Sequence, residues 1–272
     1  MEAIDFIECQ VLDQIELMLQ KTNQPDQLIS LKHHAEKIKS RLEEINAAVF
    51  ESLRENIRNK KYTESDFRNL IHHYVGFDLR QDRQLEIIGY DSLDIFINGL
   101  LSFLVMPEVT KDLEPGMVAY QKTPARIIVE LVEKSQFTEE DVFVDLGSGL
   151  GQVAILVHLL SGVPTKGVEF ETAFCDYARN CARQLDLRNV TFINADAREA
   201  DYAEGTVFFM YTPFEGKILQ TVLEILKHES RTRQIRLFTY GPCTAQVAKQ
   251  DWLDFSGLDV SDLYALGIFS SR

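Results

Sequence analysis

The sequence is poor in the features that announce several common protein classes. Its four cysteines, Cys9, Cys175, Cys181 and Cys243, are scattered with no Cys-x-x-Cys spacing. That argues against a zinc site or a disulfide framework and fits a reducing cytoplasm. No apolar run approaches the roughly 18 residues of a membrane span. The start, Met1-Glu2-Ala3-Ile4-Asp5, lacks the basic-then-apolar pattern of a signal peptide. A cytoplasmic chain with no membrane partner is expected. The adjacent pairs His33-His34 and His72-His73 point apart on a helix and make no metal clamp, so no metal is expected. Positive charge is scarce too, with 28 Lys and Arg against 42 Asp and Glu, a net charge of −14. Such a surface repels phosphate backbones and disfavours nucleic acid as a partner. The one basic cluster, Arg54, Arg58, Lys60 and Lys61, reads as a solvated helix end whose cations suit the negative pole of the helix dipole.

What is present divides the 272 residues into two rhythms. Residues 1–112 read as a helical module. Leu28, Leu31, Ala35, Ile38, Leu42, Ile45 and Val49 alternate spacings of three and four, the a/d seam of a coiled-coil-like helix. An earlier segment, Ile4 to Leu19, is apolar at helical spacing, with Asn23-Gln24-Pro25-Asp26 as a break between the two. A helical hairpin or part of a bundle is expected, and the seam is also a candidate homodimer interface. Shorter helices are expected near Glu64–Tyr74 and Ser92–Val105, followed by a connector from Pro107 to Glu114-Pro115-Gly116.

Residues 113–272 read as α/β. Strand-forming runs at Val142–Asp145, Lys166–Phe170, Val190–Ala195, Thr206–Tyr211, Ile235–Thr239 and Tyr264–Phe269 alternate with helical stretches. These stretches are Pro124–Lys134, Gln152–Leu160, Thr172–Leu187, Gly216–Glu229 and a short one before the last strand. Short continuous apolar strands between helices indicate a mostly parallel sheet covered on both faces.

The chemically informative segment is Asp145-Leu146-Gly147-Ser148-Gly149-Leu150-Gly151, between a predicted strand and a predicted helix. Glycines there let the chain turn sharply and let backbone N–H groups approach a ligand. A carboxylate, Glu169, ends the next strand 24 residues beyond Asp145, where it can accept the ribose hydroxyls of an adenosine. A dinucleotide fingerprint spaces its glycines Gly-x-Gly-x-x-Gly, whereas these run Gly-x-Gly-x-Gly. A carboxylate at Asp145 is costly beside a pyrophosphate and favourable beside an ammonium and a sulfonium. Asp196 ends the following strand within Asn194-Ala195-Asp196-Ala197, placed to meet an adenine amino group. The three acids line one crevice at the carboxyl edge of the sheet, where open α/β folds bind ligands.

These residues resemble the class I S-adenosylmethionine-dependent methyltransferases. Val144-Asp145-Leu146-Gly147-Ser148-Gly149-Leu150-Gly151-Gln152-Val153, followed by Gly167-Val168-Glu169, is most similar to the non-SET histone-lysine methyltransferases of the disruptor-of-telomeric-silencing type. The resemblance implies a Rossmann-like, seven-stranded, mostly parallel sheet with helices on both faces, behind an all-α N-terminal extension. It implies S-adenosylmethionine as cofactor, with Asp145, Gly147, Ser148, Gly149, Gly151 and Gln152 at the amino acid part, Glu169 and Phe170 at the ribose, and Asp196 and Ala197 at the adenine. Tyr120 and Thr123 would border the methionine end, although Tyr120-Gln121-Lys122-Thr123 departs from the family's Tyr-Gly-Glu-Thr at its two central positions.

The acceptor side departs further. The family ends its fourth strand in Asn-Asn-Phe, and amine methylases elsewhere use Asn/Asp-Pro-Pro-Tyr/Phe. This chain has Tyr211-Thr212-Pro213-Phe214. Tyr211 is the catalytic candidate, with Thr212 and Phe214 as substrate-contact candidates. Each also has a plain role: Tyr211 can pack at a strand end and Pro213 can stop the strand. The expectation is a methyltransferase acting on a protein side chain or a small molecule. The alternative is a scaffold that binds the cofactor without turnover. A nicotinamide oxidoreductase is disfavoured by the glycine spacing and by Asp145.

Overall fold

The computed structural model describes residues 7–21, 25–76, 91–101, 106–257 and 259–272. The expected helical residues 4–6 and 102–105, and the break at Asn23-Gln24, lie outside them. A π-helical turn, Ile7–Leu12, runs into α1 (Asp13–Leu19) and packs on the long α2 (Asp26–Arg58). The next helix, α3 (Glu64–Val75), starts from a capping box in which Thr63 and Asp66 bond each other's backbone N–H groups. It stops at Gly76, which takes the left-handed conformation that favours glycine. α4 (Ser92–Leu101) completes the helical part.

A connector then leads to α5 (Ala125–Ser135) and the alternating half of the chain. There follow β1 (Phe143–Leu146), α6 (Gln152–Ser161), β2 (Thr165–Glu169), α7 (Thr172–Gln184), β3 (Val190–Asn194) and β4 (Val207–Tyr211). The chain ends with α8 (Gly216–Glu229), β5 (Arg236–Tyr240), α9 (Thr244–Val247), β6 (Leu253–Phe255) and β7 (Gly267–Ser271). The strands form one seven-stranded sheet in the order β3-β2-β1-β4-β5-β7-β6. β1 to β5 are mutually parallel, and β7 runs antiparallel to both β5 and β6. This is the Rossmann-like, seven-stranded, mostly parallel sheet expected from the sequence.

Strand alternation divides the core between the two faces. In β4, Val207 and Phe209 join one apolar cluster while Phe208 and Met210 join the other. The first cluster holds α5, α6 and α7 and also Leu53, Ile57, Phe67, Ile71, Phe96 and Ile97 from the helical part. The second is closed by Ile218, Leu219, Val222 and Leu226 of α8 with Val247 and Trp252. Apolar packing is therefore continuous across residue 112.

Of the basic cluster, Lys60 and Lys61 are exposed as expected, whereas the two arginines are built in. Arg54 donates to the Gly99 and Leu100 carbonyls at the end of α4, and Arg58 donates to the Gln184 carbonyl at the end of α7. Each satisfies helix-terminal acceptors that have no intrahelical partner.

Candidate active site

The strand order reverses between β1 and β4, so β1, β2 and β4 open a crevice at their carboxyl ends. The glycine turn fills the step from β1 to α6. Gly147, Gly149 and Gly151 have φ of +79°, +52° and +84°, a region that L side chains rarely adopt. The N–H groups of Gly147 and Ser148 both donate to the Val168 carbonyl of β2, which folds the turn against the neighbouring strand. Space forbids side chains as well: a Cβ on Gly149 would stand 2.3 Å from the Tyr120 ring, and one on Gly151 2.6 Å from Phe192.

Asp145 is 2% exposed, and its Oδ2 has no hydrogen-bond partner among the described residues. Burial, reinforced by the nearby charge of Glu169, pushes its pKa well above the usual carboxylate range. Gln152, 3% exposed at the first turn of α6, leaves both amide atoms unpaired, and the Ser148 hydroxyl is likewise unpaired. Buried polar groups in folded proteins are normally satisfied, so unpaired groups gathered at one place indicate a missing partner. All three line one cavity of about 370 Å³.

Along the same cavity, Glu169 is held at both oxygens, by Gly149 N–H at 2.7 Å and by Glu171 N–H at 2.7 Å. Burial nevertheless raises its pKa. Phe170 lines the wall and has the Lys111 ammonium 4.4 Å from its ring centroid. Asp196 and Ala197 also line the cavity. Arg198 donates to both Asp196 oxygens and keeps that carboxyl below its usual pKa.

The connector forms a strap across the crevice that sequence reasoning did not anticipate. At one end, Glu171 accepts from Thr110 N–H, Thr110 Oγ1 and Lys111 N–H, and also from Ala173 N–H at the head of α7. Burial opposes ionisation of Glu171, but these donors prevail and bring its pKa down to about 2. In the middle, Glu114 pairs with Arg198 at 2.8 Å. At the other end Val118 N–H donates to the Pro213 carbonyl, and Met117 pairs with Phe214 in an isolated bridge. Tyr120 and Thr123 continue the strap into the cavity wall, where Tyr120 stacks edge-on with Phe174.

The loop bearing Tyr120 and Thr123 is anchored from the helical part. Asp94 of α4, 2% exposed, accepts from Ala125 N–H at the head of α5 and from Asp91 N–H. Its pKa is raised by burial, and the nearby half-buried Lys122 has its own pKa lowered by burial. Arg126 completes the junction through its ion pair with Asp91.

At the end of β4, Tyr211 lines the cavity with its ring 4.8 Å from that of Tyr240. Burial and the proximity of Tyr264 raise its pKa. Thr212 has φ +40°, and its hydroxyl is fully used: it donates to the Tyr240 carbonyl and accepts from Cys243 N–H. Phe214 is buried and forms part of the wall beside Ile218. His158 lies elsewhere and bonds the Val163 carbonyl with its Nδ1.

Residues 115–209 match the family model of histone methylation protein DOT1. The match covers the loop of Tyr120, the glycine turn and the ends of β2 and β3, and it bears out the resemblance drawn from those residues. No curated protein sequence matches the chain. Among solved structures, an RNA methyltransferase from Salinibacter ruber, in complex with S-adenosyl-L-homocysteine, is 23% identical. It covers 56% of this chain and 92% of its own, with a TM-score of 0.45. A precorrin-6y C5,15-methyltransferase from Geobacter metallireducens is 15% identical over 57% of this chain and 93% of its own, with a TM-score of 0.45. The chain thus carries, within its seven-stranded and mostly parallel sheet, a segment similar to the DOT1 family. Among the described residues, no helix is long and apolar enough to cross a membrane, and no cluster of side chains could hold a metal ion.

Proposed function

We propose that this protein is an S-adenosylmethionine-dependent methyltransferase whose acceptor is a protein side chain or a small molecule. The observation that carries the reading is Asp145, a buried carboxylate with an unpaired oxygen at the end of a glycine turn. An isolated buried carboxylate is costly, and a cationic ligand beside it removes that cost. Gln152 and Ser148 supply a donor and acceptors to the same end of the cavity. An amino acid group, cationic at its amine and anionic at its carboxylate, suits this set. A dinucleotide pyrophosphate does not.

The other candidate residues support the same orientation. Glu169 keeps lone pairs free beyond its two backbone donors, suited to ribose hydroxyls. Phe170 and Ala197 offer flat and small surfaces for a base, and Asp196 stands ready to accept from an amino group. The glycine turn brings backbone close to the ligand, and Tyr120 and Thr123 close the opposite side. In this reading residues 113–272 are the catalytic domain, and residues 1–112 are a helical module that braces it.

When bound, S-adenosylmethionine supplies an activated methyl group on a sulfonium. The chain's residues hold it in line and exclude water. Alignment alone is worth about 7–11 kcal/mol of barrier, so a strong base is not obligatory. Tyr211, with its pKa raised, acts as a neutral hydroxyl that orients the acceptor and does not accept its proton. Phe214 walls the acceptor approach, and Thr212, its hydroxyl committed, serves by shaping the turn between them.

One observation favours a second reading, a cofactor-binding protein without turnover. The acceptor side presents Tyr211 where amine methylases carry an amide or carboxylate. Calorimetric titration with S-adenosylmethionine and with NAD, followed by transfer of labelled methyl to cell extract, separates the readings. Binding of S-adenosylmethionine with labelling of a product supports the enzyme. Binding without labelling supports the scaffold, and preference for NAD overturns both.

A further inference from the structure

The strap across the crevice is attached unevenly along its length. From Gly116 to Val118 it is joined to the turn after β4 by backbone bonds: Val118 N–H donates to the Pro213 carbonyl, and Glu215 N–H donates to the Gly116 carbonyl at 2.7 Å. Met117 also packs on the second apolar cluster there. Residues 108–115, by contrast, are all exposed, with Val109 at 65% and Leu113 at 51%. Among the described residues, what ties this stretch down is polar. Glu171 accepts from Thr110 and Lys111, the Lys111 ammonium donates to the Phe170 carbonyl at 2.6 Å, and Glu114 pairs with Arg198. Segments with few buried apolar contacts and exposed hydrogen bonds are the ones that open at low cost.

We propose that residues 108–114 are a gate, latched by Glu171, that lifts about Gly116 whenever S-adenosylmethionine enters or leaves the crevice. The proposal rests on the reading that the crevice holds this cofactor. Its first support is access. Asp145, Ser148, Gln152 and Glu169 line the cavity, yet none is more than 9% exposed while the strap lies across it. A ligand of nucleoside size reaches groups so enclosed when a wall moves. The other walls are strand ends and helices built into the two apolar clusters, so the strap is the wall that gives. The second support is the pivot. Gly116 has φ +98° and its Cα faces the Glu215 carbonyl, from which a Cβ would stand 3.1 Å.

The latch also adjoins the site along the chain. Glu169, Phe170 and Glu171 are consecutive, and the Glu171 N–H donates to Glu169 while the Glu171 carboxylate holds the strap. The latch bonds form in the empty protein. Removing them therefore weakens the closed state alike with and without ligand, so association and dissociation speed up together and affinity stays nearly constant. A side chain that only touches the ligand acts differently, through dissociation and affinity.

The test is stopped-flow binding of S-adenosyl-L-homocysteine, which carries no methyl group to transfer, to the full chain. Thr110→Val removes one latch donor at an exposed position. Glu171→Gln keeps an acceptor for Ala173 N–H at the head of α7 but loses the charge. Both variants are expected to raise the two rate constants together, Glu171→Gln by about tenfold, with the dissociation constant within about twofold of wild type. For the converse, Thr110→Cys with Glu171→Cys, on a Cys9→Ser background, is joined by a short thiol cross-linker. Linked while empty, the chain is expected to take up no ligand, and linked while filled, to keep it through dialysis. Linked protein that exchanges ligand at the unlinked rate overturns the gate. So do wild-type rates in both single variants, or a rise in dissociation alone. A wild type that binds no S-adenosyl-L-homocysteine overturns the cofactor reading itself, and the gate with it.

Discussion

Pro213 rests against Gly147 so closely that a Cβ on the glycine would stand 2.3 Å from the proline Cβ. The glycine turn that lines the crevice and the turn that follows β4 are thus in direct contact. Gly147→Ala must displace Pro213 and also hold an alanine at φ +79°. The left-handed conformation alone costs roughly 1–2 kcal/mol. The expected outcome is a lower midpoint in chemical denaturation and a loss of cofactor affinity of about tenfold or more, read by calorimetry. Unchanged affinity would separate the turn from the ligand.

Asp145 makes cofactor affinity depend on pH. Its pKa in the empty protein is raised by burial and by Glu169, so at acid pH the carboxyl is protonated and offers no charge to a cation. Affinity for S-adenosylmethionine should therefore rise with pH through the range where Asp145 ionises, and proton release should accompany binding. Stability of the empty protein runs the other way. A raised folded pKa contributes stability that is complete below the unfolded pKa and is lost as pH rises through the folded value. Asp145→Asn removes that loss. It should be more stable than wild type near neutral pH, measured by urea denaturation across pH.

Asp94 acts at a distance by holding the head of α5. Asp94→Ala leaves the buried Ala125 N–H without its acceptor, a cost of about 1–3 kcal/mol. Because Tyr120 and Thr123 lie on the loop that enters α5, cofactor affinity should fall with stability. Asp94→Asn keeps an acceptor oxygen and should recover most of both. Equal affinity in wild type and Asp94→Ala would make the anchor irrelevant to the site.

Arg198 ties the strap to the turn after β3 through its ion pairs with Glu114 and Asp196. The Arg198 side chain reaches solvent, so Arg198→Ala should leave stability nearly unchanged. Its effect should appear in stopped-flow measurements as faster cofactor release, because both the strap and Asp196 lose their fixed partner.

Tyr211→Phe retains the ring packed on Tyr240 and removes only the hydroxyl. With Tyr211 orienting the acceptor, turnover should fall about tenfold or more while S-adenosylmethionine affinity stays within about twofold. Loss of cofactor affinity instead would assign Tyr211 to the wall of the cofactor site.

The parts legible in the sequence are those governed by local chemistry. Continuous apolar runs marked β1 to β5 within a residue or so, and α8 falls at Gly216–Glu229 as expected. The glycine turn announced itself because three left-handed residues in one step require glycine. The misses have physical causes. β6 has three residues, Leu253-Asp254-Phe255, too few to display alternation. The last strand begins at Gly267 and not at Tyr264, because Leu263 and Tyr264 are exposed apolar residues that prolong the apparent run. The a/d seam predicted the helix but not which half of it is covered. The strap was illegible for a different reason. Glu171 meets Thr110 and Lys111 across some 60 residues of chain, and nothing local to either segment marks the pairing.

The central claim is that Asp145 and the glycine turn hold S-adenosylmethionine, and isothermal titration of wild type and Asp145→Asn with that ligand tests it most directly. The account predicts saturable binding to wild type and at least a tenfold loss in a variant that is folded and no less stable. Equal affinity in the two proteins would contradict it.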